Sequence, residues 1–514
     1  MINKKCAAAI AAATALMMTV AGCAVGPDFH PPAAPVAQGY TPEPMAPHTP
    51  SADIAGGAAQ NFVKGLDIPG QWWTLFHSQQ LNNLIEQALK NNPNLQAAQA
   101  ALRQARENVY AQEGSLLPAV SGTGTATRQQ LSGAEYGQSS SGSFLYNVFN
   151  ASVNASYTLD VWGGIRRQIE SQQAQADYER FALEAAYLTL TANVVTAAVQ
   201  EASLRAQIAA THEIIAAETE QLDIVRRQFE LGGASGSDVL AQETALAQEK
   251  ATLPPLEKQL EQERDLLRAL TGHLPSDDIA VDFDMASLKL PTDLPVSLPS
   301  KLVEQRPDVR EYEALLHEAS AQVGVATANM LPQFTITAAY GSYSTSASSL
   351  LSPGTTVWSV AAGLTQPLFE GGALLHKRRA ALAAYDQAGA QYRYTVLTAF
   401  QNVADSLRAL QSDANSLKAQ LAAERSANNS FEISSSQYRV GAITYLTLLN
   451  AQNSYQQTRI NLIQALAIRY ADTAALFQAL GGGWWSRSDV APETMTWVVP
   501  ATTWKAIGSE GDPR

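Results

Sequence analysis

One residue of this sequence stands where its side chain could be covalently modified. The Cys23 thiol follows the run Val20-Ala21-Gly22 at the end of an apolar stretch that Lys4 and Lys5 precede. Charged residues, an apolar stretch and small residues, in that order, are typical of a secretory signal, and the stretch is too short for a transmembrane anchor. A cysteine at this point is typical of a thiol that is acylated and becomes the mature N-terminus. Each buried CH₂ of an acyl chain contributes ~0.8 kcal/mol of membrane affinity. We therefore predict lipidation at Cys23.

The other reactive residue types form no catalytic or metal-binding pattern. Cys6 lies within the signal, so the body of the protein has no disulfide framework. None of the seven histidines pairs with another at metal-ligand spacing, and no HExxH, CxxC or GxxxxGK[ST] motif occurs. We expect no enzymatic activity, no cofactor and no metal. The net charge of −13 also argues against nucleic acid as a partner, because phosphate binding needs clustered Lys and Arg.

The elements that follow the N-terminus form one unit that occurs twice. The Leu117-Pro118 pair recurs as Leu331-Pro332, and Gly163-Gly164 recurs as Gly371-Gly372. An internal repeat of this length predicts a duplicated architecture. Further matches are Gly232 with Gly441 and Leu240 with Leu449. We divide the chain into a signal peptide (1–22), a lipidated Pro-rich segment that runs extended along a surface or as a tether (23–70), repeat 1 (71–272), a linker (273–297), repeat 2 (298–483) and a tail (484–514).

Each copy begins with a helix and two β segments. Apolar and polar residues alternate without a break over Phe149–Asp160, which gives one apolar and one polar face at the length of a tilted transmembrane strand. We predict an opening strand near Ala119–Gln129 and exposed loops at 131–147 and 343–356. A half-buried strand of a soluble sandwich is the alternative for any one strand. The apolar set on the second strand is Val153, Ala155, Tyr157 and Leu159, and the polar set is Asn154, Ser156 and Thr158.

A helical pattern follows each Gly-Gly pair for roughly seventy residues, which corresponds to on the order of 100 Å. Apolar residues alternate in steps of three and four from Leu183 to Phe229, and this is a coiled-coil seam. Three polar residues interrupt the seam: Glu201, Thr211 and Glu218. The pattern breaks at Gly232-Gly233 and again at Gly441, where glycine suits a left-handed helix cap. Each long helix should therefore turn back in a tight hairpin far from the strands.

These elements predict an α+β membrane protein that works as an oligomer. Beyond the N-terminus no uninterrupted apolar run has the length of a transmembrane helix. Two β-hairpins cannot close a barrel alone, because open strand edges are not tolerated in lipid. The strands of a barrel must then come from several chains.

The chain resembles the TolC-like outer-membrane factors, specifically the lipoprotein exit channels of resistance-nodulation-division multidrug efflux pumps. The resemblance implies a homotrimer with four strands per chain in an outer-membrane β-barrel, continued by a periplasmic α-helical tunnel. It also implies a periplasmic adaptor (a membrane fusion protein) and an inner-membrane transporter as partners. Ala24 after Cys23 implies sorting to the outer membrane. The matching stretches are Cys23–Phe29, Trp72–Phe76, Leu159–Gly163, Gln366–Gly372, Tyr438–Gly441, Leu449–Gln452 and Ala479–Trp484.

The resemblance also implies a gate at the hairpin end. It places Leu446 and Asn450 where the family lines its periplasmic constriction, and these residues lie one helix turn apart. A ring of Leu446 side chains would resist water and ions by dewetting. The family often has Asp where this chain has Asn450, which leaves cation selectivity open. Tyr438 is similar to a family tyrosine that ties neighbouring hairpins together. The alternatives are seam packing for Leu446, a solvated position for Asn450 and a core position for Tyr438.

Two other functions remain open at this point. A periplasmic coiled-coil adaptor lipoprotein would share the hairpins and the anchor, but would not need strand pairs of membrane length in both copies. The exit duct of a type I protein secretion system would share the whole architecture. The lipidation pattern and the Pro-rich leader favour drug efflux by resemblance. Neither substrates nor the individual pump partners follow from the sequence.

Overall fold

The computed structural model describes residues 24–37, 39–132, 143–277 and 282–487. The predicted signal peptide, Cys23 and the tail beyond residue 487 lie outside the described residues. In chain order the main elements are β1 (Asn61–Lys64), α1 (Gln79–Asn91), α2 (Pro93–Glu113), β2 (Ala119–Ser132), β3 (Ser143–Leu159), α3 (Gly164–Glu230), α4 (Gly236–Leu270), β4 (Asp293–Val296), α5 (Pro299–Gln305), α6 (Pro307–Ala328), β5 (Gln333–Ser344), β6 (Thr356–Thr365), α7 (Ala373–Arg439) and α8 (Tyr445–Ala479).

The two halves of the chain contain the same elements in the same order. In each half two short helices precede two strands, then a helix of 67 residues and a returning helix of 35 residues. At ~1.5 Å per residue the long helices span on the order of 100 Å. Gly163 and Gly372 cap the starts of α3 and α7 with φ of 73° and 84°, a conformation that favours glycine. The Gly-Gly pairs therefore mark the switch from strand to helix.

Four strands form one antiparallel sheet in the order β2-β3-β5-β6. The strands are longer than the alternation of side chains predicts. Ser132 still pairs with Ser143, so part of the predicted loop 131–147 is strand, and β5 continues to Ser344. The expectation of loops there is wrong at these ends, because ladder hydrogen bonds join backbone groups and tolerate Ser and Asn side chains.

The register gives the sheet one apolar face. Val153 pairs with Tyr340, which pairs with Trp358, and all three side chains share one face. The exposed fractions of Val153 and Trp358 are 54% and 75%, so the described residues leave the middle of that face uncovered. The opposite face carries many small, hydroxyl or amide side chains, among them Ser121, Thr123, Ser152, Asn154, Ser156, Thr335 and Ser359. Within the described residues the outer edges of β2 and β6 have no strand partner.

The main hydrophobic core lies where α1, the middle of both long helices and the end of α8 meet. Trp72 stacks on Phe477 with ring centroids 5.3 Å apart, and Trp73 and Phe76 are buried beside them. Among the described helices, α3 contains an 18-residue window apolar enough to cross a membrane, but 56% of that window is buried inside this chain. We interpret this window as the core part of α3.

The N-terminal segment is held against the body, and no helix occurs in its described part before residue 71. At its start Val25 N–H donates to the Trp162 carbonyl at 2.9 Å, and the Arg167 guanidinium donates to Asp28 at 2.6 Å. Phe29 stacks on His317 with centroids 4.3 Å apart. Of the two expectations for this segment, an extended path along a surface is confirmed.

Further along, the same segment is held by a buried cation on α8. The Arg469 side chain is 0% exposed and donates to the Ala58 carbonyl at 2.6 Å and to Thr49 Oγ1 at 3.3 Å. Strand β1 then pairs in parallel with β4 of the linker. The segment is thus part of the folded body.

Candidate functional site

The candidate site lies at the tips of the two helical hairpins, at the ends of α3 and α7 that are farthest from the sheet. Gly232 and Gly441 adopt φ of 76° and 74°, and a Cβ on either would meet no atom within 4 Å. Backbone conformation, and not crowding, therefore favours glycine at both turns. Gly233 donates its N–H to the Gln228 carbonyl at 2.7 Å, but its φ is not positive, so its conformation does not demand glycine.

Polar caps start both returning helices. Ser235 and Asp238 form a capping box at the start of α4, in which Ser235 N–H donates to Asp238 Oδ2 at 2.9 Å. Thr444 caps α8 by accepting from the Thr447 N–H at 3.4 Å. The glycine turn and the polar cap together reverse the chain within a few residues. This short connection fixes the rotation of α8 about its axis.

The two tips pack on each other through one small apolar cluster. Its buried members are Val225, Ala245, Tyr445, Leu448 and Leu449. The Tyr438 and Tyr445 rings meet edge to face at 5.5 Å. Because α3, α4 and α8 all contribute, the cluster joins the hairpin of the first half to that of the second.

Two tyrosine hydroxyls add polar links across the same junction. Tyr438 O–H donates to Gln228 Oε1 of α3 at 2.8 Å, and Tyr445 O–H donates to Gln242 Oε1 of α4. Burial raises the pKa of both phenols, so both stay protonated donors at neutral pH. Tyr438 thus ties one hairpin to the other within a single chain.

Leu446 and Asn450 lie on the side of α8 opposite to this cluster. Leu446 is 59% exposed, and Asn450 is exposed as well, whereas Tyr445, Leu448 and Leu449 are buried. Seam packing within the chain is therefore wrong for Leu446. The two side chains lie one helix turn apart on an exposed face of α8.

A polar network that the sequence reasoning missed lies behind the tip. Gln242 Nε2 donates to the Glu218 carbonyl at 3.0 Å, and Gln456 Nε2 donates to Glu218 Oε1 at 3.1 Å. The Glu218 residue is 1% exposed, and among the described residues its Oε2 accepts no hydrogen bond. Burial raises the pKa of this carboxyl, and nearby Glu249 adds to the rise. The signal was visible: Glu218 is one of the three polar residues that interrupt the seam.

The features of this site are packing contacts and hydrogen bonds between helices. Within the described ranges no group of three or more His, Cys, Asp or Glu side chains could hold a metal ion. The site consists of two helical hairpins that Tyr438 links by a hydrogen bond. Leu446 and Asn450 are exposed on the outer side of this linked pair.

Comparison with known proteins agrees with this architecture. The model of the outer membrane efflux protein family matches residues 84–273 and 298–482. The probable efflux pump outer membrane protein TtgC of Pseudomonas putida is 29% identical over 480 residues, which cover 93% of this chain and 96% of TtgC. The pyoverdine export outer membrane protein OpmQ of the same species is 32% identical over 455 residues, which cover 86% of this chain and 94% of OpmQ.

The fold is that of solved channels of the same kind. The structure of the outer-membrane channel OprN matches with a TM-score of 0.80 at 25% identity, over 90% of this chain and 100% of OprN. Because the matched family consists of channels, the periplasmic-adaptor alternative is wrong. The chain belongs to the outer membrane efflux protein family and is an outer-membrane efflux channel, a transport protein rather than an enzyme.

Proposed function

We propose that three copies of this chain close one passage through the outer membrane and the periplasm. The observation that carries the proposal is the sheet itself: one apolar face with no cover, and two outer edges without partners in the described residues. Open edges are not tolerated in lipid, so β2 of one chain would pair with β6 of the next. Three chains of four strands give about twelve strands, within the range of outer-membrane barrels. The number three rests on family resemblance.

The helical hairpins continue the same passage into the periplasm. Helices α3 and α7 begin directly after the sheet, and their length of on the order of 100 Å suits a tunnel that receives solutes on the inner side. We infer that a periplasmic adaptor and an inner-membrane transporter feed it. TtgC is an efflux pump component by name and OpmQ an export protein for pyoverdine, which favours small molecules over secreted proteins as cargo.

Two further assignments belong to this proposal. We infer that Cys23 carries the lipid anchor, because it follows Val20-Ala21-Gly22 at the end of an apolar stretch and the residues just after it are held at the sheet–helix junction. We also infer that the chain is a duplication with its boundary in the linker 273–297, since the same elements occur on both sides of it.

The gate is assigned to Leu446, with Asn450 and Tyr438 in support. Three Leu446 side chains would meet on the axis of the assembly and form an apolar ring that resists water. Tyr438 would hold the closed arrangement through its hydrogen bond to Gln228.

Conductance of the purified channel in a lipid bilayer tests this assignment. Leu446→Ala should raise the resting conductance, and Asn450→Asp should increase block by divalent cations. Leu240→Ala is a matched control, because Leu240 is an exposed leucine (64%) near the start of α4. A Leu446→Ala channel that assembles normally and keeps the wild-type resting conductance would show that the constriction lies elsewhere.

A further inference from the structure

The open face of α8 is uncharged along the whole helix. The charged residues of this 35-residue helix are Arg459, Arg469 and Asp472. Arg459 pairs with Glu213 of α3, and Arg469 is fully buried. Asp472 lies beside Asp413 of α7, whose pKa it raises. All three charges are therefore directed at neighbouring parts of the same chain.

What the open face carries is a row of side-chain amides. We call Asn450, Asn453, Gln457, Asn461 and Gln464 the amide stripe. The steps of three and four between them place the stripe on one side of the helix, in line with Leu446. Four of its five members are exposed, and Asn461 is partly covered. Gln457 Nε2 donates to Asn461 Oδ1 at 2.9 Å, so the amides also order one another.

The returning helix of the first half has the opposite character. Helix α4 has the same length and the same place in its half, yet its exposed surface carries Lys250, Glu257, Lys258, Glu261 and Asp265. Mixed charges of both signs are typical of a surface in bulk water. Since fold and position are alike, the difference reflects what each helix faces. The charged surface of α4 is expected for a helix that faces periplasmic water. The uncharged open face of α8 is expected for a helix that faces an enclosed path.

We propose that the amide stripe lines the lumen next to the gate and leaves this part of the channel without a binding site for divalent cations. The inference rests on the channel proposed above and adds its ion preference. An amide both donates and accepts hydrogen bonds, so it can exchange partners with a passing polar group and release it again. A ring of carboxylates at the same place would instead attract and retain Mg²⁺ or Ca²⁺.

The two halves supply a matched pair of substitutions. Gln457 lies as far from the start of α8 as Gln248 lies from the start of α4, and both are exposed. Wild type, Asn450→Asp, Gln457→Glu and Gln248→Glu would be reconstituted in planar bilayers after assembly has been checked by size and circular dichroism. The measurements are the reversal potential in a KCl gradient and the MgCl₂ concentration that halves the current.

We expect Asn450→Asp and Gln457→Glu to shift the reversal potential toward the cation value. Their sensitivity to MgCl₂ should rise by about tenfold, the change that 1.4 kcal/mol of added attraction produces. Gln248→Glu should leave both quantities unchanged. The inference is overturned if Gln248→Glu acts as strongly as Gln457→Glu, or if the wild type is already blocked at the concentration that blocks Asn450→Asp. Assembled Leu446→Ala protein without any conductance would refute the proposed channel, and this inference with it.

Discussion

A lysine on the apolar face of the sheet is the sharpest test of the membrane assignment. Apolar side chains occupy every second position of β3 from Phe149 to Leu159, and Val153 lies near the middle of that band. The Val153 side chain is 54% exposed in the single chain, so its replacement removes little internal packing. A lysine near the bilayer midplane on the lipid face of a barrel costs ~2–4 kcal/mol. Three copies would bring the cost for a trimer to about 6–12 kcal/mol.

The matched control is Asn154→Lys on the opposite face of the same strand. Its neighbours there are hydroxyl groups, with Asn154 Nδ2 donating to Thr123 Oγ1 at 3.1 Å. A lysine at this place would face the aqueous lumen and should cost little. The assay is the yield of heat-resistant oligomer in outer-membrane fractions, with folding in detergent measured alongside. Equal yields for Val153→Lys and Asn154→Lys would refute the barrel, because a soluble sheet exposes both faces to water.

Three further predictions concern the anchor, the tip and the helical core. The mature protein should begin at Cys23 with acyl chains visible by intact mass, and Cys23→Ser should lose them; an unmodified cysteine would contradict the proposal. Tyr438→Phe removes the bond to Gln228, which should destabilise the closed tip by ~0.5–1.5 kcal/mol and raise resting conductance; unchanged conductance would remove Tyr438 from the gate. Burial and contact with Asp472 raise the pKa of Asp413 to about 7, so ionisation is penalised in the folded state, and stability should fall as pH rises from about 4 to 7. Wild type should melt lower at pH 8 than at pH 5, and Asp472→Asn should reduce that difference; an identical pH dependence would disprove the coupling.

The sequence was sufficient for the parts of the fold that local periodicity specifies. Coiled-coil steps of three and four, ended by Gly232 and Gly441, predicted two long helices and their hairpins, and the structure has them. The strict alternation of apolar and polar residues predicted the apolar face of β3, because successive side chains of a strand point to opposite faces of the sheet. The strand ends were wrong, since backbone pairing continues where the alternation of side chains stops.

Contacts between distant segments could not be predicted in this way. Arg469 is a residue type that is usually exposed, yet it is fully buried because the carbonyls and hydroxyls of residues 49–60 surround it. The residues next to Arg469 in the sequence do not indicate which distant residues will accept its hydrogen bonds. The proposed gate residue Leu446 shows the same limit, because it is one apolar residue among many on α8. Its exposed orientation depends on the tip cluster, which forms only when both hairpins are folded.

The residues just after Cys23 are held at the junction between β3 and α3, which bears on the lipid anchor proposed for Cys23. A Cβ on Gly163 would lie 2.6 Å from Ala24 Cβ, and Val25 N–H donates to the Trp162 carbonyl. This contact lies between the last residue of β3, Leu159, and the first turn of α3. Consecutive Cα atoms are about 3.8 Å apart, so an anchor proposed for the residue before Ala24 would be tied to this junction by a single peptide unit. An acyl chain there would enter the same leaflet as the strand ends. A lipid anchor that holds the junction at the membrane surface would raise the effective concentration of the strands there. Lipidation would therefore favour insertion of the sheet, whereas an anchor on a free tether would not.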